Sequence, residues 1–218
     1  MNYVTDDTMN AYLRSVQPMY DGVLGEIQKE AIAAEVPIVP PEVARLLSVL
    51  LTMQKPKNIL EIGTAVAFSA GLMCRYLPEE GTVTTIDRYE VMLKDARVNI
   101  KRMGLEDKIE ILEGDAADIL PTLEGPYDVI FMDAAKGQYI HFLDDVLRLM
   151  KPGSGLVSDN VLQGGDIIES HYAVERRNRT IYKRMREYLY ELKHNDKLLT
   201  SVIPLGDGVT VSVRKDMK

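Results

Sequence analysis

The sequence carries one cysteine, Cys74, in 218 residues. No internal disulfide can form, so stability cannot rest on an oxidising compartment. No stretch approaches the roughly 18 consecutive apolar residues that a membrane span needs. The start, MNYVTDDTMN, is acidic and polar, where a secretory leader would be basic and then apolar. A cytoplasmic protein without membrane attachment is expected. Basic charge is scarce as well: 26 Lys and Arg against 33 Asp and Glu give a net charge of −7. That balance excludes a protein that coats nucleic acid indiscriminately, but not one local basic patch. Internal repeats and low-complexity tracts are absent. So is the dinucleotide fingerprint G-x-G-x-x-G, because Gly63 is followed by Thr64, Ala65, Val66, Ala67 and Phe68, which disfavours a pyrophosphate-bearing cofactor.

What is present is an ordinary globular composition, 46% hydrophobic and 27% charged, enough for one substantial core. Short β-type runs alternate with helical patterns: NILEI at 58–62, TVTTI at 82–86, KIEIL at 108–112, YDVIFM at 127–132 and GLVSD at 155–159. This order predicts βαβ units and a parallel sheet with helices on both faces. Helices are expected near 6–16, 20–35, 41–53, 89–103, 138–150 and 174–194. Gly104 supplies a C-terminal stop for one of them, and the Lys151-Pro152-Gly153 run ends another. The proline-rich segment 36–41 is a connector. At the C-terminus TSVIP and GVTVSV flank Leu205-Gly206-Asp207-Gly208, and the Asp-Gly pair predicts a tight hairpin. The expected architecture is a Rossmann-like α/β fold with a mostly parallel seven-stranded sheet and a C-terminal antiparallel hairpin. Residues 1–36 read as a helical extension and 37–218 as the principal domain. Cys74, within SAGLMCRYL, reads as a buried small hydrophobe with no catalytic role.

The chemistry gathers at the carboxyl ends of the strands, where such sheets bind ligands. Glu61 and Gly63 close the first strand, with Ser69 early in the next helix. Asp87 closes the second strand, where a carboxylate can accept from ribose hydroxyls or cap a helix. Asp115 and Ala116 follow the third, where an acid can accept from an adenine amino group or only cap a helix. Three acid-bearing strand ends in succession favour an adenosine-containing cofactor over three independent caps. Asp133 ends the fourth strand, and Asp159 and Asn160 follow the fifth, an all-oxygen set suited to Mg²⁺, with Mn²⁺ or Ca²⁺ tolerated. The histidines, His141, His171 and His194, fit no metal-ligand spacing and read as surface residues.

Taken in order, EIGTAVAFS, TIDR, GDA, FMDAAKGQY and VSDNVL resemble the class I metal-dependent O-methyltransferases related to catechol and caffeoyl-coenzyme A methyltransferases, over roughly residues 37–213. The resemblance implies that Val39, Glu61, Gly63, Ser69, Asp87, Asp115, Ala116 and Asp133 contact S-adenosylmethionine. It also implies that Asp133, Asp159 and Asn160 hold the metal, and that Lys136 and Asp133 are catalytic. Ala67 departs from the glycine usual in that cofactor loop. DAAKGQY in place of D-A-D-K-x-x-Y, the basic VERRNRT segment and the PLGDG hairpin are closer to the bacterial tRNA 5-hydroxyuridine methyltransferases.

A metal that activates a hydroxyl favours substrates with two adjacent oxygens, which a catechol and a 5-hydroxyuracil both present. The stretch 176–186 bears on the choice. At about 100° per residue, Ile181, Met185, Leu189 and Leu192 share one face. Arg176, Arg179, Lys183 and Arg186 lie opposite, flanked by Arg177 and Arg184. On an acidic protein this cationic side favours tRNA as substrate, with a small catechol-like molecule as the alternative. Tyr12, Leu13, Val16, Met19 and Tyr20 supply spare apolar surface for a homodimer.

Overall fold

The computed structural model describes residues 7–216. Three helices come first: α1 (Asp7–Ser15), α2 (Gly22–Ala33) and α3 (Pro41–Gln54). The βα succession follows as β1 (Asn58–Ile62), α4 (Phe68–Cys74), β2 (Thr82–Asp87), α5 (Glu90–Met103), β3 (Ile109–Glu113) and the one-turn α6 (Ala116–Ile119). Then come β4 (Tyr127–Met132), α7 (Tyr139–Leu149), β5 (Met150–Ser158), α8 (Arg179–His194), β6 (Leu198–Ile203) and β7 (Val209–Arg214). The seven strands order as β3-β2-β1-β4-β5-β7-β6. The first five are parallel, and β7 runs antiparallel to both β5 and β6.

Strand side chains alternate between faces, and this divides the core in two. Ile59, Val83, Val129 and Phe131 pack with α2, α3, α4 and α5. Leu60, Ile62, Ile130 and Met132 pack with α7 and α8. Leu24 and Ile27 of α2 join the first cluster, so part of the N-terminal segment is built into the core. Cys74 sits in that cluster too, and burial pushes its thiol up to about 12. Gly104 ends α5 at φ 65°, the left-handed conformation its helix stop requires. No helix among the described residues is long and apolar enough to cross a membrane. All three histidines are exposed.

The structure corrects two expectations. The strand expected at 155–159 begins at Met150, so the Lys151-Pro152-Gly153 run lies within it, and Asp159 stands just past its end. The reason is that Met150 already pairs with Tyr127, across an irregularity that absorbs the extra residues. The helix expected from 174 begins at Arg179, because Val174 and Asn178 are held by contacts to other segments instead. Val174 is buried, its carbonyl accepts from Arg179 Nε at 3.1 Å, and Asn178 Nδ2 donates to Asp166 at 3.3 Å. The buried face of α8 is Tyr182, Met185, Tyr188 and Leu192, with Ile181 and Leu189 only half-buried. Tyrosine rings can fill a core when the hydroxyl finds a partner. Here Tyr188 meets the Ser158 hydroxyl at 2.6 Å and Tyr182 donates to the Glu169 carbonyl at 3.0 Å.

Candidate active site

Strand order reverses between β1 and β4, and there the chain leaves a cavity of about 640 Å³, of the size that holds a small organic ligand. Val39, Gly63, Ser69, Asp87, Asp115 and Ala116 line it, as do Asp133, Asp159 and Asn160. Two expected residues stand outside the wall. Glu61 is fully buried behind it, and Lys136 lies beside it.

Gly63 makes the crevice possible. Its φ is 110°, and a Cβ there would fall 2.0 Å from the Asp133 carbonyl oxygen. Only glycine lets the ends of β1 and β4 approach this closely. Asp87 then fixes the loop that follows. Its Oδ2 accepts from the Thr64 and Ala65 N–H groups at 3.1 and 3.0 Å, and its Oδ1 from Arg88 and Tyr89 at 2.7 and 3.1 Å. Asp115 caps α6 through Ala117 N–H at 3.0 Å and pairs with Arg88 at 2.6 Å. That backbone bond and the guanidinium hold its carboxyl below the usual range. Glu61 accepts from Thr85 Oγ1 at 2.6 Å, while its Oε1 is buried without a partner. Burial pushes Glu61 up to about 8, opposed by the nearby Ser69 and Thr85 hydroxyls.

On the other side of the cavity, Asp133 and Asp159 are both raised, first by burial, and Asp159 also by the charge of Asp133. Asp159 Oδ1 accepts from the Asn160 N–H at 2.7 Å, and Oδ2 is buried with no partner. Two desolvated carboxylates and an adjacent amide, with an unpartnered oxygen among them, fit a hard divalent cation, whose charge would remove the repulsion. Among the described residues, no three His, Cys, Asp or Glu side chains cluster closely enough to hold a metal. The candidate set thus depends on Asn160, which sits at φ 57°.

Sequence reasoning missed two residues. Tyr139, fully buried, accepts from Ala134 N–H at 3.2 Å and points its hydroxyl at the Met132 and Asp159 carbonyl oxygens, each at 3.2 Å. It ties the ends of β4 and β5 together, and its place in AKGQY was the available signal. The other is Asp207, whose Oδ2 accepts from Lys136 Nζ at 2.8 Å. Its only trace in the sequence was the turn.

A doubly wound sheet with acids at successive strand ends and an antiparallel hairpin at its edge is the class I methyltransferase architecture. The match to known proteins is specific. Residues 16–215 fit the O-methyltransferase family model. A catechol O-methyltransferase of Niastella koreensis is 33% identical over 177 residues, 78% of this chain and 80% of that protein. One of Mycobacterium tuberculosis is 34% identical, covering 73% and 74%. An O-methyltransferase of Bacillus cereus, solved in complex with SAH, superposes with a TM-score of 0.83 at 27% identity, covering 95% of this chain and 97% of that one. The chain belongs to the O-methyltransferase family and is an S-adenosylmethionine-dependent O-methyltransferase.

Proposed function

We propose that the enzyme methylates the 5-hydroxyl of 5-hydroxyuridine in a tRNA anticodon loop, in the cytoplasm, with a divalent cation, Mg²⁺ first and Mn²⁺ or Ca²⁺ tolerated, held by Asp133, Asp159 and Asn160. S-adenosylmethionine supplies the methyl group, and a bound cation would lower the pKa of the acceptor hydroxyl and orient the acceptor through its two adjacent oxygens. The chain's own groups do the rest. Gly63, Ser69, Asp87, Asp115, Ala116 and Val39 shape the cofactor side, with Glu61 behind. Tyr139 keeps the strand ends bearing Asp133 and Asp159 in register. Lys136 Nζ, an ammonium paired with Asp207 beside the cavity, guides the proton that leaves the acceptor hydroxyl and offsets the charge that develops on that oxygen.

The observation that carries the tRNA reading is where α8 sits. Arg184 donates to the Gly137 carbonyl at 3.1 Å, and Gly137 lies between Lys136 and the cavity-lining Gln138. The cationic segment therefore borders the candidate site. Not all of its charge is free. Arg179, Arg184 and Arg186 donate to backbone carbonyls, whereas Arg176, Arg177 and Lys183 are exposed, and Arg177 pairs with neighbouring Glu175. Tyr172, 87% exposed beside them, offers a ring for base stacking.

The test replaces Arg176, Arg177 and Lys183 with Ala. Methylation of tRNA containing 5-hydroxyuridine is expected to fall at least tenfold near physiological salt. Its log–log salt slope should flatten by roughly 0.7–0.9 per lost phosphate contact, while turnover of a small catechol stays unchanged. Robust catechol turnover without methylation of hydroxylated tRNA would overturn the reading and leave the second one: a small catechol-like acceptor, favoured by the names of the two curated relatives. We also infer a homodimer: of the five N-terminal apolar residues expected to be spare, Tyr12, Val16 and Met19 are 47–61% exposed, whereas Leu13 is half-buried and Tyr20 packs against the core. Light scattering should give twice the chain mass, and a concentration-independent monomer would exclude it.

A further inference from the structure

The turn between β6 and β7 was expected only to reverse the chain. In the structure its aspartate joins the two loops that carry the candidate chemistry. Asp207 Oδ2 accepts from Lys136 Nζ at 2.8 Å, on the loop after β4. Its Oδ1 accepts from Gly164 N–H, on the loop after β5 that begins with Asp159 and Asn160. The backbone repeats the link: the Asp207 carbonyl accepts from Leu162 N–H at 2.9 Å, and that of Gly208 from Val161 N–H at 3.0 Å. The loop so held is an unusual one. Asn160 and Gln163 have positive φ beside Gly164 and Gly165, and for the two non-glycine residues that conformation persists only where the surroundings over-determine it. Lys136 and Asp207 are 35% and 27% exposed. For a surface ion pair of that kind the energy is small, and the geometric consequence matters more: a long, flexible amine is confined to one place beside the cavity.

We propose that Asp207 is a positioning residue for methyl transfer, holding Lys136 Nζ at the cavity rim in fixed relation to the loop that bears Asn160. The proposal rests on the reading of Lys136 as the group that handles the acceptor proton. Asp207 itself touches no reacting atom. It acts by restricting where the amine stands, so its loss should reduce kcat and leave cofactor binding alone.

The experiment compares Lys136→Ala, Asp207→Asn, Asp207→Glu and the double variant Lys136→Ala/Asp207→Asn, measuring kcat and KM for the acceptor, cofactor affinity by calorimetry, and Tm. Asp207→Asn keeps an oxygen that can accept from Gly164 N–H, so it removes the charge pairing while sparing the loop. Lys136→Ala is expected to lower kcat by at least 100-fold, within the usual range for proton-transfer groups. Asp207→Asn should lower it roughly 10- to 100-fold, comparable to loss of other orienting partners, with cofactor affinity unchanged. Asp207→Glu should recover most of the loss. In the Lys136→Ala background, Asp207→Asn should cost less than a further twofold, because its effect passes through the lysine. A fully active Lys136→Ala enzyme would remove the lysine reading on which the proposal stands. An impaired Lys136→Ala beside an unimpaired Asp207→Asn would overturn the proposal alone. Full additivity in the double variant, or loss of cofactor binding and Tm with kcat in Asp207→Asn, would show that Asp207 only stitches loops together.

Discussion

Asp87 and Asp159 are the same residue type at the same kind of place, the carboxyl end of a parallel strand at one cavity, yet the two halves of the site use them oppositely. On the proposed cofactor half, Asp87 spends both oxygens on four backbone N–H groups and thereby builds the loop. On the proposed acceptor half, Asp159 takes one local N–H and keeps Oδ2 buried and unpartnered. A satisfied carboxylate stabilises its surroundings, and an unsatisfied buried one costs free energy until something binds it. Building and binding are thus distinguishable in a ligand-free structure by counting donors, where the sequence presents two equivalent acids.

The sharpest way to break this contrast is to neutralise each acid. Asp159→Asn is expected to lower kcat roughly 100-fold or more, since it removes a proposed cation ligand. Metal-free Tm should hold or rise, because Asp133 loses a like-charged neighbour, and cofactor affinity should remain. Asp87→Asn offers one acceptor oxygen in place of two. It should therefore lower stability by about 1–3 kcal/mol, and cofactor affinity should fall with it. Calorimetric titration and thermal unfolding of both variants decide the point. If Asp159→Asn destabilised the protein and Asp87→Asn did not, the two acids would have been assigned to the wrong halves.

Much of this was legible because it is local. Hydrophobic runs bounded by turn signals gave five strands and the hairpin to within a few residues, and the acids at 61, 87, 115 and 133 declared themselves by standing at strand ends. What escaped depends on distant packing. Asp207 meets Lys136 across 71 positions, and no local pattern separates a turn aspartate that caps nothing from one that holds an amine. Tyr182 and Tyr188 were passed over as core residues because their burial requires hydroxyl partners, Glu169 and Ser158, that are supplied by other elements. The helix start at Arg179 was hidden likewise, since Val174 and Asn178 are held by contacts absent from a helical wheel.

Glu61 sharpens the comparison from the cofactor half, because there too one buried oxygen lacks a partner. Its folded-state carboxyl is raised to about 8, against about 4.3 for an unperturbed glutamate. Between those values the folded protein binds a proton that the unfolded chain has released, so this residue makes stability fall as pH rises from about 4.3 towards 8. Glu61→Gln removes that dependence. The ligand-free variant should exceed the parent in Tm by a margin that grows between pH 5 and pH 8, reaching at least about 2–4 °C, the equivalent of about 1 kcal/mol in a chain of this size. Parallel Tm curves over that range would mean that Glu61 is not held protonated by burial.

The smallest effect is expected at Ala67, where the family resemblance led to an expectation of glycine. The structure shows why glycine would be at home: Ala67 has φ 62° and ψ 26°, left-handed geometry, and caps α4 without a side-chain hydrogen bond. An L-residue there costs roughly 1–2 kcal/mol, so Ala67→Gly should recover that strain. Two terms oppose it. The unfolded chain gains freedom worth about 0.4–1 kcal/mol, and a fully buried methyl is lost from a packed core at about 0.8 kcal/mol. The sum lies close to zero, so Tm should move by no more than about 4 °C and cofactor affinity by less than threefold. Ala67→Val is the informative companion, because a β-branched residue is still less tolerated at positive φ and would have to fit a site with no exposed surface, so its Tm should drop well beyond that margin. If glycine weakened cofactor binding tenfold while valine was accepted, the alanine methyl would itself be a contact of the cofactor loop, and the division between a half that builds and a half that binds would have to be redrawn at that residue.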